Sequence, residues 1–290
     1  MKILHVSDLH FGKPYHPEVG EALQRIAPTL EPDLIVASGD FTQRAKVAEY
    51  QAAREFLDRF PPKPLVVVPG NHDVPLYRIW ERLTRPMDNY REFISHDLNP
   101  TYDLDGAFVV GLDTTSPHVT ISRGRITSDQ VAYALDQFAQ ADAEDLKILV
   151  VHHHFVDAPD ALRDRGMLGG EQAMARFIEA GVDLILGGHL HRAYIGNSLD
   201  FFFEGPRDRG VILVQSGTTT SRRGRGREKE KNSFNVLDVH EEWLEITHFM
   251  FFEDTETFGP ISRHVFPRAG HRLVFEEHEE DDVEVVDLDA

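Results

Sequence analysis

Seven residues whose side chains can bind metal ions follow five short apolar segments of the chain. They are Asp8, His10, Asp40, Asn71, His152, His189 and His191. In extended backbone, residues two positions apart point the same way, so the Asp-x-His pair and the His-x-His pair could each hold one ion. Either pair alone is a weak signal in a chain with 16 histidines. Together, the seven residues predict a metal site assembled from several strand ends.

Two of these residues follow a glycine. Gly70 permits a sharp turn before Asn71, whose amide oxygen is a neutral ligand for a cation. Asp40 follows Ser38 and Gly39, and its two carboxylate oxygens could bridge two cations. The chain has no cysteine, which excludes disulfides, thiolate catalysis and cysteine-ligated zinc. A metal site here must therefore use histidine, carboxylate and amide ligands.

The apolar segments that precede these residues have the length and β-branched content of buried strands. They are residues 3–6, 34–37, 65–68, 148–151 and 182–186. Residues 45–57 and 127–138 carry apolar positions at helical spacing, and Thr127 with Gln130 predicts a capping box at the start of the second helix. Crossover connections align the carboxyl ends of parallel strands along one edge, so all five endings should converge.

The second half of the chain changes pattern after Gly188. Shorter strand-like segments at residues 199–203, 211–214, 234–239 and 243–249 predict a mostly antiparallel sheet. We expect one α/β domain over residues 1–275 and an acidic tail over residues 276–290.

The charge of the chain argues against one class of partner. Of the net charge of -19, nine acidic side chains lie in the last fifteen residues, which leaves about -10 on the body. A binder of extended nucleic acid would normally carry a basic field, so that partner is disfavoured. An enzyme that holds one phosphodiester through local positive charge remains compatible with this composition.

The chain begins directly with a strand-like segment, without a basic region and a long apolar stretch that would indicate a secretory signal. No later apolar run approaches the roughly eighteen residues needed to span a bilayer. These features predict a cytoplasmic protein that is not inserted in a membrane. The sequence leaves open whether it forms a homo-oligomer.

In order along the chain, the motifs are an Asp-x-His, a Gly-Asp, a Gly-Asn-His-Asp, a histidine at a strand end and a Gly-His-x-His. This series resembles the calcineurin-like metallophosphoesterase superfamily over roughly residues 1–250. The resemblance implies an α/β fold in four layers, an α-β-β-α sandwich with two central mixed sheets and a binuclear metal site at the strand ends.

The resemblance also implies which residue binds which ion. It gives the first metal Asp8, His10, Asp40 and His191, and it gives the second metal Asp40, Asn71, His152 and His189. Asp40 would bridge the two ions. In the family's His-His-Pro pattern the first histidine is the ligand, so His152 is preferred over His153 and His154, which we expect to support the site or pack around it.

His72 lies beside a ligand but is not a family ligand, and the resemblance assigns it to polarising the phosphate or protonating the leaving oxygen. Related phosphoprotein phosphatases pair this histidine with an Asp three residues after the bridging Asp, where this chain has Gln43. An orienting partner for His72 must therefore come from elsewhere. Arg44 stands where those phosphatases place a phosphate-binding arginine, and it is a candidate for substrate binding, with solvation at a helix start as the alternative.

The leading hypothesis is a metal-dependent hydrolase of a small, cyclic-nucleotide-like phosphodiester, similar to bacterial class III cyclic-nucleotide phosphodiesterases. Two cations about 3.5 to 4 Å apart would share a hydroxide that attacks the phosphate in line. The ligand set favours manganese or iron, and zinc, cobalt and nickel are compatible with it. A phosphomonoesterase, a nuclease and a non-catalytic scaffold with the same fold remain alternatives.

The sequence leaves two further features open. The arginines of residues 221–231 could form a loop that meets an anionic substrate, although a solvated turn is the simpler interpretation. Asp113, at the end of the apolar run 108–112, could support the site without binding metal.

Overall fold

The computed structural model describes residues 1–118, 122–157, 165–200, 210–224, 229 and 231–268. Two six-stranded sheets pack face to face, and helices cover the outer face of each. This arrangement confirms the predicted α/β sandwich of four layers. The acidic tail at residues 276–290 lies outside the described residues, so its separation from the domain stays a prediction.

The first sheet has the strand order β12-β11-β10-β1-β2-β3. Its strands are β1 Lys2–Val6, β2 Leu34–Ala37, β3 Leu65–Val67, β10 Ser233–Val239, β11 Trp243–Phe252 and β12 Thr257–Pro267. Strands β1, β2 and β3 run parallel, and the other three pairings are antiparallel. The sheet is therefore mixed, with its parallel half formed by the three strands that precede predicted ligands.

The second sheet has the order β4-β5-β6-β7-β9-β8. Its strands are β4 Thr101–Leu104, β5 Ala107–Gly111, β6 Leu146–Val150, β7 Leu184–Gly187, β8 Tyr194–Asn197 and β9 Ile212–Gln215. Strands β5, β6, β7 and β9 run parallel, and antiparallel strands lie at the two edges. The five predicted strand endings thus come from two sheets, where the sequence indicated a single edge.

In the described part of the chain, six α-helices lie outside the sheets. They are α1 Pro17–Ile26, α2 Val47–Leu57, α3 Ile79–Thr84, α4 Asp88–Phe93, α5 Ser128–Phe138 and α6 Gly170–Glu179. The capping box predicted at the start of α5 is present: Thr127 Oγ1 accepts the backbone N–H of Gln130, and Gln130 Oε1 accepts that of Thr127. Each side chain satisfies one donor that the first helical turn leaves unpaired.

Alternation along the strands creates the layers. In β1, Ile3 faces the second sheet and Leu4 faces the helices of its own side. The inter-sheet core is almost wholly aliphatic, whereas the helix-covered side of the first sheet also contains Tyr50, Phe56 and Phe234. Because both faces of β1 and β2 are buried, their sequences are continuous apolar runs, as in strands covered on both sides.

One expectation for the second half of the chain was partly wrong. Strand β9 pairs with β8 in antiparallel fashion, but it pairs with β7 in parallel, and so extends the parallel sheet. The predicted strand at residues 199–203 begins in a 3₁₀ turn, Ser198–Asp200, and residues 201–203 lie outside the described part of the chain. Strands β10 and β11 form the predicted antiparallel pair.

Among the helices that the structure describes, each is too short or too polar to cross a lipid bilayer.

Two buried tyrosines provide a matched test of the packing under the first sheet. Tyr50 and Tyr90 are both fully buried, but only the Tyr50 hydroxyl donates a hydrogen bond, to the backbone oxygen of Asp73. The Tyr90 hydroxyl has no hydrogen-bond partner among the described residues. We expect Tyr50→Phe to lower the free energy of unfolding by about 1–3 kcal/mol, since it leaves a buried carbonyl unpaired, and Tyr90→Phe to be neutral or stabilising. Urea unfolding of both variants checks this, and equal losses would contradict it.

Stability should fall in mild acid because of a buried histidine in β11. His248 Nδ1 lies 2.9 Å from Asn235 Oδ1, and burial, with a smaller effect of His264, lowers the pKa of His248 to about 4. Between pH 6.5 and 4 the unfolded chain binds a proton at this residue that the folded chain does not. His248 therefore reduces the free energy of unfolding as pH falls, by up to about 1.4 kcal/mol per pH unit.

His248→Asn should flatten that decline. Urea titrations of the metal-free protein at pH 7, 6 and 5 would measure it, with the exposed His96→Asn as the control. Parallel curves for His248→Asn and the unsubstituted protein would contradict the prediction.

Candidate metal centre

Five of the seven predicted ligands hold the backbone in the left-handed region. Asp8, His10, Asp40, His189 and His191 all have φ between 51° and 72°. Only three other non-glycine residues of the described chain do so. This conformation is unfavourable for residues with a Cβ, and it persists where the surrounding structure requires it. The strain is therefore concentrated on the loops that follow β1, β2 and β7.

The first group of converging side chains is buried between the two sheets' strand ends. Asp8, His10, Asp40 and His191 each contribute one atom, and these atoms lie within 4.8 Å of one another. His191 Nε2 is 3.3 Å from Asp8 Oδ1, and His10 Nε2 is 3.5 Å from the same oxygen. These four residues are the set that the resemblance implied for one ion.

The second group contains His152, His153 and His189, whose ligand atoms also lie within 4.8 Å of one another. Asn71 joins it, because its Oδ1 lies 2.9 Å from His189 Nδ1. His153 was expected to support the site, and the geometry makes it a further candidate ligand beside His152. Its Nδ1 lies 2.8 Å from the hydroxyl of Thr114.

Asp40 lies between the two groups. Its Oδ2 is 3.6 Å from His10 Nε2 and 3.4 Å from His152 Nε2, while its Oδ1 accepts the backbone N–H of His72 at 2.8 Å. One carboxylate oxygen thus faces both groups at once. This placement is what a ligand shared by two ions requires.

Three buried atoms at the centre fit bound cations. Asp8 Oδ1, Asp40 Oδ2 and His152 Nε2 have no hydrogen-bond partner among the described residues. Leaving buried carboxylate oxygens without donors is costly, and native structures rarely do so without an ion or a water. Asp8 Oδ1 faces the two histidines of the first group, and Asp40 Oδ2 faces His152 Nε2 in the second. The donor set of carboxylate oxygens and imidazole nitrogens fits first-row divalent metals.

Backbone carbonyls fix the orientation of two imidazoles. His152 Nδ1 lies 2.7 Å from Ser38 O, and His191 Nδ1 lies 3.1 Å from Arg223 O. A carbonyl only accepts, so each Nδ1 carries a proton and each Nε2 is the ring nitrogen left to bind an ion. Hydrogen bonds of this kind commonly hold metal-binding histidines in place.

Electrostatics in the metal-free protein divide the histidines into two kinds. Burial lowers the pKa values of His10 and His189 well below their usual range, and lowers that of His191 to about 3. These imidazoles are neutral, as metal binding requires. Burial, the largest single effect, opposes the charge of His152, but the Asp40 and Asp8 carboxylates and the Ser38 carbonyl together outweigh it and raise the pKa of His152 to about 9. The proton on His152 therefore partly stands in for a cation beside Asp40.

A further buried carboxylate, that of Asp73, holds the Asp40 loop in place. Asp73 is fully buried and accepts the backbone N–H groups of Phe41, Thr42 and Gly70 at 3.2, 2.9 and 2.9 Å. Burial and the charge of Asp40 raise the pKa of Asp73 to about 7, while these donors oppose the shift. In the sequence, the only sign of this loop-holding role is that Asp73 is the last residue of the Gly-Asn-His-Asp motif.

Close backbone approach at the centre requires glycine at two positions. A Cβ on Gly70 would lie 2.2 Å from Asp40 Oδ1, and a Cβ on Gly188 would lie 1.9 Å from the Ser7 hydroxyl. That hydroxyl donates to Asp8 Oδ2 at 2.8 Å, as does the backbone N–H of His189 at 3.0 Å. Gly188 thus lets the loop after β7 of the second sheet approach Asp8, and Gly70 lets the loop after β3 approach Asp40 within the first sheet.

His72 has the orienting partner that its sequence context left unidentified. Its Nδ1 lies 2.9 Å from the backbone oxygen of Gln43, so the carbonyl of that residue, and not its side chain, holds the imidazole. The ring packs edge-on against His10 at 4.9 Å between centroids. His72 is partly exposed, which leaves its Nε2 available to a bound molecule.

The remaining candidates lie around the centre. Arg44 is exposed, and its guanidinium lies over the ring of Tyr77, 5.1 Å from the centroid. Asp113 accepts the backbone N–H of Thr115, and burial raises the pKa of Asp113 to about 6. Its neighbour Thr114, and not Asp113 itself, contacts His153 of the centre. In the arginine-rich loop, residues 225–228 and 230 lie outside the described chain.

Comparison with known proteins identifies related sequences. A family model described as Calcineurin-like phosphoesterase matches residues 1–193. The chain is 28% identical over 181 residues to a probable cyclic nucleotide phosphodiesterase of Synechococcus sp. This alignment covers 60% of this chain and 64% of the relative. It is 27% identical over 210 residues to a cAMP/cGMP dual specificity phosphodiesterase of Mycobacterium tuberculosis. That alignment covers 65% of this chain and 61% of the relative. The match thus spans less than two thirds of the length of these relatives.

Solved structures share the fold at low sequence identity. A purple acid phosphatase from yellow lupin superposes with a TM-score of 0.67 at 12% identity, over 91% of this chain and 53% of that one. A dimetal phosphatase from Danio rerio superposes with a TM-score of 0.61 at 11% identity, over 92% of this chain and 98% of that one. At this identity the comparison establishes the sandwich architecture.

Metal stoichiometry tests the assignment of ligands. We expect the protein to bind two Mn²⁺ per chain. Asp40→Asn should weaken binding at both sites because it removes the shared charge, and His191→Gln should weaken binding at one site only. Elemental analysis after desalting and the shift in Tm on adding Mn²⁺ would measure this, with the exposed His96→Gln as the control. One ion per chain, or two retained in Asp40→Asn, would contradict the shared-ligand arrangement.

Proposed function

Because the chain belongs to the calcineurin-like phosphoesterase family, we propose that it is a binuclear metal-dependent hydrolase of a small phosphodiester. The observation that carries this proposal is Asp40, whose unpaired Oδ2 faces a histidine of each group. The first ion would be held by Asp8, His10, Asp40 and His191, and the second by Asp40, Asn71, His152 and His189. Manganese and iron suit this mixture of ligands.

The exposed side of the centre indicates where a substrate would bind. Asp8, His10, Asp40, His152 and His191 are buried. Asn71, His72 and His189 are partly exposed, so they form the face open to solvent. A phosphate reaching the centre from this side would meet His72 next to the ions.

The protein's own groups supply positioning and a proton. When bound, the two cations would neutralise charge on the phosphate and activate a water for in-line attack. His72 keeps a proton on Nδ1 through the Gln43 carbonyl, so Nε2 is the atom that contacts the phosphate or, when protonated, gives a proton to the leaving oxygen. The bridging carboxylate and the carbonyl-bound imidazoles keep these groups in a fixed geometry.

Two considerations favour a small diester. The relatives from Synechococcus and Mycobacterium tuberculosis are named as cyclic nucleotide phosphodiesterases, and one from Enterobacter lignolyticus, 29% identical over 164 residues, as a glycerophosphodiester phosphodiesterase. The strongly acidic chain is unsuited to holding long nucleic acid strands. A phosphomonoesterase of the same family is the second candidate, since the same two ions could orient a monoester.

The experiment is a substrate panel with the Mn²⁺-loaded protein. It would compare bis(p-nitrophenyl) phosphate and cyclic AMP, which are diesters, with the monoester p-nitrophenyl phosphate. We expect turnover of the diesters, with a higher kcat/KM for the bis ester than for the monoester. A preference for the monoester would favour the second candidate, and failure to hydrolyse any diester would overturn the proposal.

His72 provides a sharper test within the same assay. We expect His72→Asn to lower kcat about 10²- to 10⁴-fold because it removes the proton-transfer group, while two Mn²⁺ remain bound. His96→Asn, an exposed histidine substitution away from the centre, is the matched control. A variant that keeps full kcat, or that loses its metal, would remove His72 from this role.

A further inference from the structure

A pocket of ≈ 450 Å³ lies beside the candidate metal centre. Its lining comprises Lys13, Pro14, Gln43, Arg44, Lys46, Glu49 and Arg223. Its size is within the range of pockets that hold small molecules, roughly 300–1,000 Å³. The residues come from the loops after β1 and β2, from the first turn of α2 and from the segment that precedes β10, so the pocket depends on the tertiary fold.

The charge of this pocket is opposite to that of the whole chain. Among the described residues, four cationic side chains and one carboxylate, that of Glu49, line it, in a chain with a net charge of -19. The Glu49 carboxylate accepts the backbone N–H of Arg44 at 2.7 Å and that of Lys46 at 3.4 Å, so it is engaged in starting α2. Gathering like charges is unfavourable unless an anion joins them.

The pocket and the metal centre share a wall. Gln43 holds His72 through its backbone carbonyl, and Arg223 holds His191 in the same way. The two wall residues are joined, because Arg223 Nη1 donates to Gln43 Oε1 at 2.9 Å. The pocket therefore adjoins the partly exposed side of the centre, where His72 would meet a substrate.

We propose that this pocket binds a second phosphate group, carried by the diester substrate on the ester arm that extends past His72. The proposal rests on the proposed function, since it names the substrate class of the same site. A phosphomonoester carries a charge of about -1.5 to -2 near neutral pH and three strong acceptor oxygens. Lys13, Lys46 and the guanidinium groups of Arg44 and Arg223 match such a group in charge and in donors.

The shape of the charged region supports one phosphate in preference to a strand. A protein that binds extended single strands combines a long basic groove with successive stacking aromatics. Here four cationic side chains share one pocket of ≈ 450 Å³, and the described residues that line it include no aromatic ring; the exposed Tyr77 and Trp80 lie outside that lining. A plain cyclic nucleotide would leave the pocket without an anion, whereas a nucleotide with a further terminal phosphate would fill it.

Two chromogenic diesters that differ by one phosphate provide the test. They are thymidine 5′-(p-nitrophenyl phosphate) and the same compound with a 3′-phosphate. Hydrolysis adds water across the same P–O bond in both and releases p-nitrophenolate. With the Mn²⁺-loaded protein, we expect kcat/KM to be about tenfold higher for the 3′-phosphorylated compound, mainly through KM, because exposed charge pairs contribute up to about 1 kcal/mol each. The preference should shrink as salt is raised.

The double variant Lys13→Gln/Lys46→Gln should lose most of this preference. The matched control is Lys63→Gln/Arg176→Gln, which removes the same charge from exposed positions outside the pocket. We expect the control to keep the ratio of the two kcat/KM values. An unchanged ratio in the pocket variant, an equal loss in the control, or no preference in the unsubstituted protein would overturn the proposal.

A binding measurement separates this proposal from the proposed function. Calorimetry of the full chain with a chelator present would compare thymidine 3′,5′-bisphosphate with thymidine 5′-monophosphate. Tighter binding of the bisphosphate, lost in the double variant, would support the pocket even if no diester were hydrolysed. Equal binding of both nucleotides in the unsubstituted protein would reject the pocket even if diesters were turned over.

Discussion

The buried charge of Asp40 is the constraint on which the arrangement of this protein depends. Its Oδ2 lies within 3.6 Å of His10 and 3.4 Å of His152, yet it receives no hydrogen bond from the described residues. A carboxylate in such a place is stable only beside positive charge. In the metal-free protein the proton on His152 supplies part of that charge, and two cations would supply it fully.

The backbone conformation around Asp40 reflects this constraint. Asp40, Asp8 and His189 are among the ligand candidates held at positive φ, and the Asp73 carboxylate ties the loops after β2 and β3 together. The candidate ligands come from both sheets, so the centre also links the two halves of the sandwich. Bound cations would therefore stabilise the packing of the sheets as well as the site itself.

The fold is common to phosphatases of different kinds, so the features that set this chain's activity lie in its loops. His72 is held by a backbone carbonyl, which orients the imidazole without adding a negative charge next to the substrate. The cationic pocket is built from the loops around the same residues. Both features depend on Gln43, which connects His72 on one side with Arg223 on the other.

The sequence by itself determined the family resemblance, the capping of α5, the residue types at the centre and most strands of the two sheets, because these depend on local patterns of side chains. It did not predict the edge strands β4, β8 and β12. Tertiary structure alone decided that the strand ends belong to two sheets, that β9 joins β7 in parallel, and that His153 lies among the second group. It also decided that carbonyl oxygens orient His72 and His191. Every residue has a backbone carbonyl, so the sequence does not show which carbonyl will orient a histidine. Strand pairing joins segments that are distant along the chain, so local patterns of side chains do not show it either.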